Sequence, residues 1–198
     1  MGVVAAIAVM AAPSAAQAGL LVASAPNCDA PALERPFKRW LDPLTYTLLP
    51  DGGLEAGAAG WSLSGAKVVN GNETFQVHGA FDSKALSLPP GSSATTPVTC
   101  AGLDKPVLRF FSKSSAGLLS LSVLYVDVLF ETAGGGVASL PVGVALPGTK
   151  WQPTLPLPVL ASLLPLLPGQ QTPVAFRFRP VGSATWTIDD VYLDPYRR

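Results

Sequence analysis

An antiparallel β-sandwich, all-β in class, is the fold this sequence predicts, and three observations carry the prediction. Glycine (19) and proline (20) are abundant yet dispersed between apolar runs, a pattern that punctuates many short strands and would break a helical bundle. Val174, Phe176 and Phe178 alternate with Ala175, Arg177 and Arg179, the period of two that buries one face of a strand and wets the other. Turn signals recur along the chain, at Pro50-Asp51-Gly52-Gly53, Asn70-Gly71-Asn72, Pro89-Pro90-Gly91, Gly134-Gly135-Gly136, Pro147-Gly148 and Pro168-Gly169.

Shorter runs repeat that period. Trp61 and Leu63 flank Ser62, Leu86 and Leu88 flank Ser87, and Leu108 and Phe110 flank Arg109, each predicting a half-buried strand. From Leu119 to Phe130 valine and leucine occupy both parities, as expected of a central strand, the longest, covered on both sides or crossing between sheets. Two segments depart from the pattern. Leu33, Phe37, Trp40 and Leu41 recur at helical spacing, and Pro36 suits a helix start, so a short helix capping one end of the sandwich is expected. Thr154 to Pro168 is a leucine and proline tract too proline-rich for a long helix or a central strand; an extended piece followed by one or two helical turns near Val159 to Leu164 is expected.

A chain of 198 residues is ample for one hydrophobic core. Thirteen basic side chains balance thirteen acidic ones, and no stretch gathers the lysine and arginine that a phosphate backbone demands, so nucleic acid is excluded as a partner class. Residues Val3 to Ala12 form an apolar run, Pro13 interrupts it, and Ala16-Gln17-Ala18 supplies small residues for cleavage before Gly19. Residues 1–18 therefore read as a signal peptide, although no Lys or Arg precedes the run, and the run is too short to span a bilayer. The expected organisation is that signal peptide, an extension over 19–44 that carries the short helix, and a sandwich over 45–198. Export to an oxidising compartment makes a disulfide between Cys28 and Cys100 the expected state of the two cysteines, a closure worth about 4 kcal/mol. Two unrelated buried thiols are the alternative.

Catalytic constellations are sparse. His78 is the one histidine, and no Gly-x-Ser-x-Gly elbow accompanies it, so it reads as an ordinary surface residue. Asp189 and Asp190 are neighbours on a strand and are expected to point to opposite faces, which prevents them from acting as a glycosidase pair. Gly134-Gly135-Gly136 lies between strands and lacks a following helix or lysine, so it is a hairpin turn rather than a phosphate loop. An enzyme is not expected.

Several phrases together resemble a known family: Gly53-Leu54-Glu55-Ala56-Gly57 followed by Gly60-Trp61-Ser62-Leu63, then Leu86-Ser87-Leu88-Pro89-Pro90-Gly91, then Trp186-Thr187-Ile188-Asp189-Asp190-Val191-Tyr192-Leu193. They resemble the opening, middle and closing strands of galactose-binding-like jelly rolls, the fold of many carbohydrate-binding modules, over roughly residues 45 to 195. The sequence is also similar to small secreted proteins of actinobacteria that share its Phe37 to Asp42 and Asp189 to Arg197 phrases. The family resemblance implies a jelly-roll sandwich and one structural Ca2+, with Glu55 and Asp189 at the ligand positions. Asp189 shares its parity with Val191 and Leu193, so a buried carboxylate there would need a cation, a backbone donor or a partner such as Arg177.

The function implied is a non-catalytic secreted module that recognises carbohydrate or another cell-envelope ligand. Trp40, Phe75, Tyr125 and Trp151 are the rings that could stack on sugar, whereas Trp61 and Trp186 fit the core pattern. The alternative is a structural or protein-interaction component of the envelope, and a third reading is a hydrolase with an acidic site.

Overall fold

The computed structural model describes residues 20–24, 32–102, 106–132, 134–159 and 171–194. Its strands are β1 (Thr47–Leu48), β2 (Ser62–Ser64), β3 (Lys67–Asn70), β4 (Lys84–Leu88), β5 (Ser93–Thr95), β6 (Thr99–Gly102), β7 (Val107–Ser114), β8 (Val123–Glu131), β9 (Val137–Ala145), β10 (Gln152–Pro153), β11 (Leu157–Pro158), β12 (Gln171–Val181) and β13 (Trp186–Asp194). They form two antiparallel sheets. The first runs β10-β7-β13-β4-β3, with β1 also on β13 and β11 on β7; the second runs β2-β5-β12-β8-β9, with β6 on β12. A helix, α1 (Leu20–Ala23), and a 3-10 turn, Lys38–Trp40, precede them.

The core lies between the sheets because each long strand turns alternate apolar side chains inward. Leu86, Leu88, Leu108, Phe110, Trp186 and Ile188 of the first sheet meet Val126, Val128, Phe176 and Phe178 of the second. Phe110 and Phe178 touch edge to face, with ring centroids 5.1 Å apart. Full burial of each such side chain contributes about 1.5–3 kcal/mol. The alternation read over Val174 to Arg179 is therefore the inner and outer faces of β12, and Gly134 to Gly136 belong to the turn joining β8 to β9.

Two expected boundaries move. The strand expected to be the longest begins at Val123 rather than Leu119 and is shorter than β12, since a turn closed by the Ser120 N–H on the Gly117 carbonyl leaves Leu118, Leu119 and Leu121 exposed. Trp61 precedes β2 instead of lying in it; it is buried and donates its indole N–H to the Pro50 carbonyl at 3.1 Å, while Leu63 stays partly exposed on the edge strand. The first part of the leucine and proline tract is extended and packed. The Thr154 N–H bonds to the Phe110 carbonyl, β11 pairs with β7, and Leu157 and Val159 enter the core. The expected helical turns lie beyond Val159, outside the described residues, as does the signal peptide over 1–18.

The part of the extension that carries the 3-10 turn does not cap an end of the sandwich; it lies over the outer face of the first sheet. There Phe37, Tyr46, Ala85, Phe111, Trp151 and Tyr192 form a second apolar cluster, with Trp40 and Phe75 packed against it. Only one 3-10 turn forms, so a helical stripe cannot be presented: Phe37 is buried while Leu33 and Leu41 are exposed.

A polar network fastens this layer. Arg109, on the outward parity of β7, donates from Nη1 to Asp42 Oδ2 at 2.6 Å and from Nε and Nη2 to the Thr154 carbonyl at 3.0 and 2.7 Å. Its guanidinium lies 4.2 Å from the centroid of the Phe37 ring. Asp42 also accepts from the Tyr46 hydroxyl at 2.7 Å and the Leu44 N–H at 3.1 Å. Burial works against the Asp42 charge, but the bonds from Tyr46, Leu44 and Arg109 outweigh it and hold its carboxyl below the usual value.

Arg109→Ala should lower the unfolding free energy by about 3–5 kcal/mol, read from urea denaturation, because it strands the Asp42 carboxylate. A carboxyl whose folded pKa is depressed contributes stability that is present above the unfolded value of about 3.9 and is lost as pH falls through the lower folded value. The thermal midpoint of the wild type should therefore fall on acidification below about pH 4, and Asp42→Asn should flatten that limb of the curve.

Candidate functional site

The closing strand β13 is in register with β7 from Trp186 to Asp189, loses register, and regains it at Tyr192. This is a β-bulge, and Asp190 within it adopts φ 47°, a left-handed conformation that aspartate tolerates better than most residues. The bulge reverses the parity of the strand. Trp186 and Ile188 face the core before it, and Val191 and Leu193 after it. Asp189 is paired with Phe111 and shares the outer face with it, so it does not share the orientation of Val191 and Leu193 that an unbroken strand would give. Nor are Asp189 and Asp190 separated to opposite, independent faces: both are fully buried, and the Asp190 charge raises the pKa of Asp189.

The segment between β3 and β4 folds over these acids. Asp189 accepts the Glu73 N–H on Oδ2 and the Asp190 N–H on Oδ1, both at 2.9 Å. Glu73 is itself buried and accepts the N–H groups of Phe75 and Val77. Asp190 Oδ2 accepts the His78 N–H at 3.3 Å, whereas Asp190 Oδ1 is buried without a hydrogen-bond partner. His78 Nδ1 lies 2.6 Å from Asp82 Oδ2. One candidate ligand atom from each of His78, Asp82 and Asp190 falls within 4.8 Å of the other two.

Electrostatics follow from this crowding. Desolvation, then the Asp190 charge, push Asp189 up to about 8 despite its two backbone donors. Desolvation and the Glu73 charge push Asp190 up to about 7, with His78 opposing. His78 is raised, since the hydrogen bond and charge of Asp82 outweigh its own desolvation. The histidine read as an ordinary surface residue thus belongs to a carboxylate cluster. Asp82 was not singled out in the sequence, nor Glu73 as part of a site, and Asp190 was weighed only against a glycosidase pair; the spacing of four between His78 and Asp82 was the available signal.

Glu55 is placed elsewhere. Its exposed carboxylate accepts the N–H groups of Ser83 and Lys84 on Oε1, each at 2.7 Å, and the Ser83 hydroxyl on Oε2. Neither Glu55 nor Asp189 is left with an orphaned oxygen, and among the described residues they form no common ligand cluster. A structural calcium on that pair therefore rests on the family resemblance alone. Cys100 is buried on β6, opposite Pro173 of β12, and Cys28 lies outside the described residues.

The outer face of the second sheet is a different surface. Arg177 and Arg179 of β12 and Asp127 and Tyr125 of β8 stand on its outward parity, Arg177 opposite Asp127 and Arg179 opposite Tyr125. Asp127 is buried, and its Oδ2 accepts from Arg177 Nη2 at 3.2 Å and from Arg179 Nε at 2.8 Å. Arg177 also lies opposite Thr95, which lies opposite Ser62, so the row ends in two hydroxyls. Helix α1 lies against β8 and β12, and Ala175 of β12 is buried in spite of its outward parity. Of the four rings that could stack on sugar, Trp151 is buried, Trp40 and Phe75 are half-buried against each other at 4.9 Å, and Tyr125 alone is exposed, at 38%. Trp61 and Trp186 are core residues, as their pattern predicts.

No protein-family profile and no curated protein matches the chain. Solved structures do. The family 22 carbohydrate-binding module and GH10 modules of Clostridium thermocellum xylanase 10B, complexed with xylohexaose, align over 74% of this chain and 28% of theirs, at 9% identity and a TM-score of 0.50. A family 16 carbohydrate-binding module aligns over 74% of this chain and 99% of its own, at 15% identity and a TM-score of 0.46. A family 61 module, complexed with β-1,4-galactotriose, aligns over 76% and 98%, at 16% identity and a TM-score of 0.44. The two packed antiparallel sheets of this chain are thus a jelly-roll β-sandwich, the fold matched in the xylanase 10B structure.

Proposed function

We propose that this protein is an exported, non-catalytic carbohydrate-binding module whose sugar surface is the outer face of the second sheet. The observation that carries the proposal is the grouping of Tyr125, Arg177 and Arg179 around the buried Asp127. Sugar recognition needs a ring to lie under a pyranose face and fixed polar groups at its edge for the hydroxyls. Tyr125 supplies the ring, and the guanidiniums offer further donors beyond those engaged with Asp127. The paired buried acids Asp189 and Asp190 are roofed by the Glu73 to His78 segment, which argues against their flanking a scissile bond.

Export is part of this reading, on the signal-peptide pattern of residues 1–18. So is a bridge from Cys28 to Cys100: Cys100 stands on the outward parity of the sheet against which α1 lies, so the bridge would fasten the extension beside the sugar surface. A second reading, contact with an envelope protein, is favoured by one observation. Leu118, Leu146 and Leu155 are exposed and line one shallow cavity, with Leu119 and Leu121 exposed on the same loop as Leu118.

Purified mature protein screened against a glycan panel that includes xylo- and β-1,4-galacto-oligosaccharides should bind at least one glycan. Tyr125→Ala should then weaken that binding about tenfold, equivalent to about 1.4 kcal/mol, while the thermal midpoint stays within a few degrees of wild type. Binding to no glycan would turn the proposal to the second reading. Separately, Cys100→Ser should cost about 2–4 kcal/mol of stability, and reductant should reproduce that loss in the wild type.

A further inference from the structure

The cluster on the other side of the molecule has no part in sugar recognition, yet its geometry is that of an unfinished coordination shell. Three features converge there. Asp190 is fully buried, and its Oδ1 lacks any hydrogen-bond partner, a cost that a native fold ordinarily avoids. A Cβ built on Gly53 would lie 3.2 Å from that oxygen and 3.1 Å from His78 Nδ1, so the missing side chain leaves a cradle between the two atoms. Candidate donor atoms of His78, Asp82 and Asp190 stand within 4.8 Å of one another.

We propose that His78, Asp82 and Asp190 bind a divalent first-row transition cation, of which zinc is the one the donor set fits. One imidazole with two carboxylates is a borderline set: the imidazole favours zinc-like ions, and calcium favours six to eight oxygens. Zinc bonds of about 2.0–2.2 Å place tetrahedral donors roughly 3.3 Å apart. His78 Nδ1 and Asp82 Oδ2, 2.6 Å apart, would open to admit the ion, within a set whose candidate atoms already lie within 4.8 Å of one another. His78, whose side chain is 36% exposed, and Asp82 exchange their mutual hydrogen bond for two metal bonds, and the fixed carboxylate of Asp190 receives the ion from below. Three protein donors leave a fourth position to water on the exposed side of His78. Glu73, buried beside Asp190, adds negative charge that the ion would offset. This site shares no residue with the pair Glu55 and Asp189 and is independent of the sugar surface.

The test is titration of full-length mature protein, stripped with chelator, with Zn2+ alone and with Ca2+ alone, read by calorimetry and by the thermal midpoint. Zinc should bind with one-to-one stoichiometry and raise the midpoint, and Ca2+ should do neither at the same concentration. His78→Ala should weaken zinc binding by at least tenfold. Gly53→Ala, which fills the cradle, should weaken it similarly, and Glu55→Gln should leave it within twofold. Asp190→Asn should abolish binding; if that variant fails to fold, His78→Ala, altered at a more exposed position, carries the decision. Absence of a zinc-induced shift in the wild type, an equal zinc-induced shift in His78→Ala, or a response to Ca2+ as large as that to zinc and removed by His78→Ala would each overturn the proposal.

Discussion

The irregularity of one central strand governs most of what is distinctive in this structure. β13 pairs with β1, β4 and β7, so its bulge acts on the whole first sheet. Without it, Asp189 would face the core with Val191 and Leu193, a position at which a carboxylate would have to lie among leucine and phenylalanine. With it, the core receives Trp186, Ile188, Val191 and Leu193 without interruption, and the two acids are sent outward beneath a covering segment. The cost is moved rather than removed. Backbone N–H groups of Glu73, His78 and Asp190 are enlisted to satisfy three of the four carboxylate oxygens, and one is left over.

The covering layer has a similar logic. A sheet face that carries Phe111 and Tyr192 beside Arg109 needs both an apolar lid and an anion, and the segment from Phe37 to Tyr46 supplies both in ten residues. Phe37 stacks on Phe111 with centroids 5.6 Å apart, and Asp42 meets the guanidinium. The first sheet is therefore covered on both sides. The second is covered within by the core and, among the described residues, only partly without.

How far the sequence foretold this can be judged from particular residues. The sandwich was legible because β4, β7 and β12 carry an unbroken period of two, and the hairpin at Gly134 to Gly136 because glycine marks tight turns. Leu119 and Leu121 read as strand because composition cannot distinguish an apolar strand from an apolar loop. The orientation of Asp189 was misjudged because a bulge inserts one residue and inverts every parity after it, with no sequence signature beyond the pair of aspartates. His78 showed no more than its spacing of four to Asp82, since its other partner, Asp190, is 112 residues away. Tyr125 was one of four rings, and only burial could select it.

The sharing of one Asp127 oxygen by two arginines has a thermodynamic consequence for whatever meets that face. A solitary surface arginine samples many rotamers and forfeits that freedom when it grips a ligand, typically about 0.5–1.5 kcal/mol. Here Arg177 and Arg179 are already held against the sheet by the same acceptor, so much of that forfeit is made during folding. Such a rigid pair of forks would reward partners whose hydroxyls are held at constant spacing by rings and penalise pliant chains, which turns selectivity into a question of stiffness as much as of chemical identity.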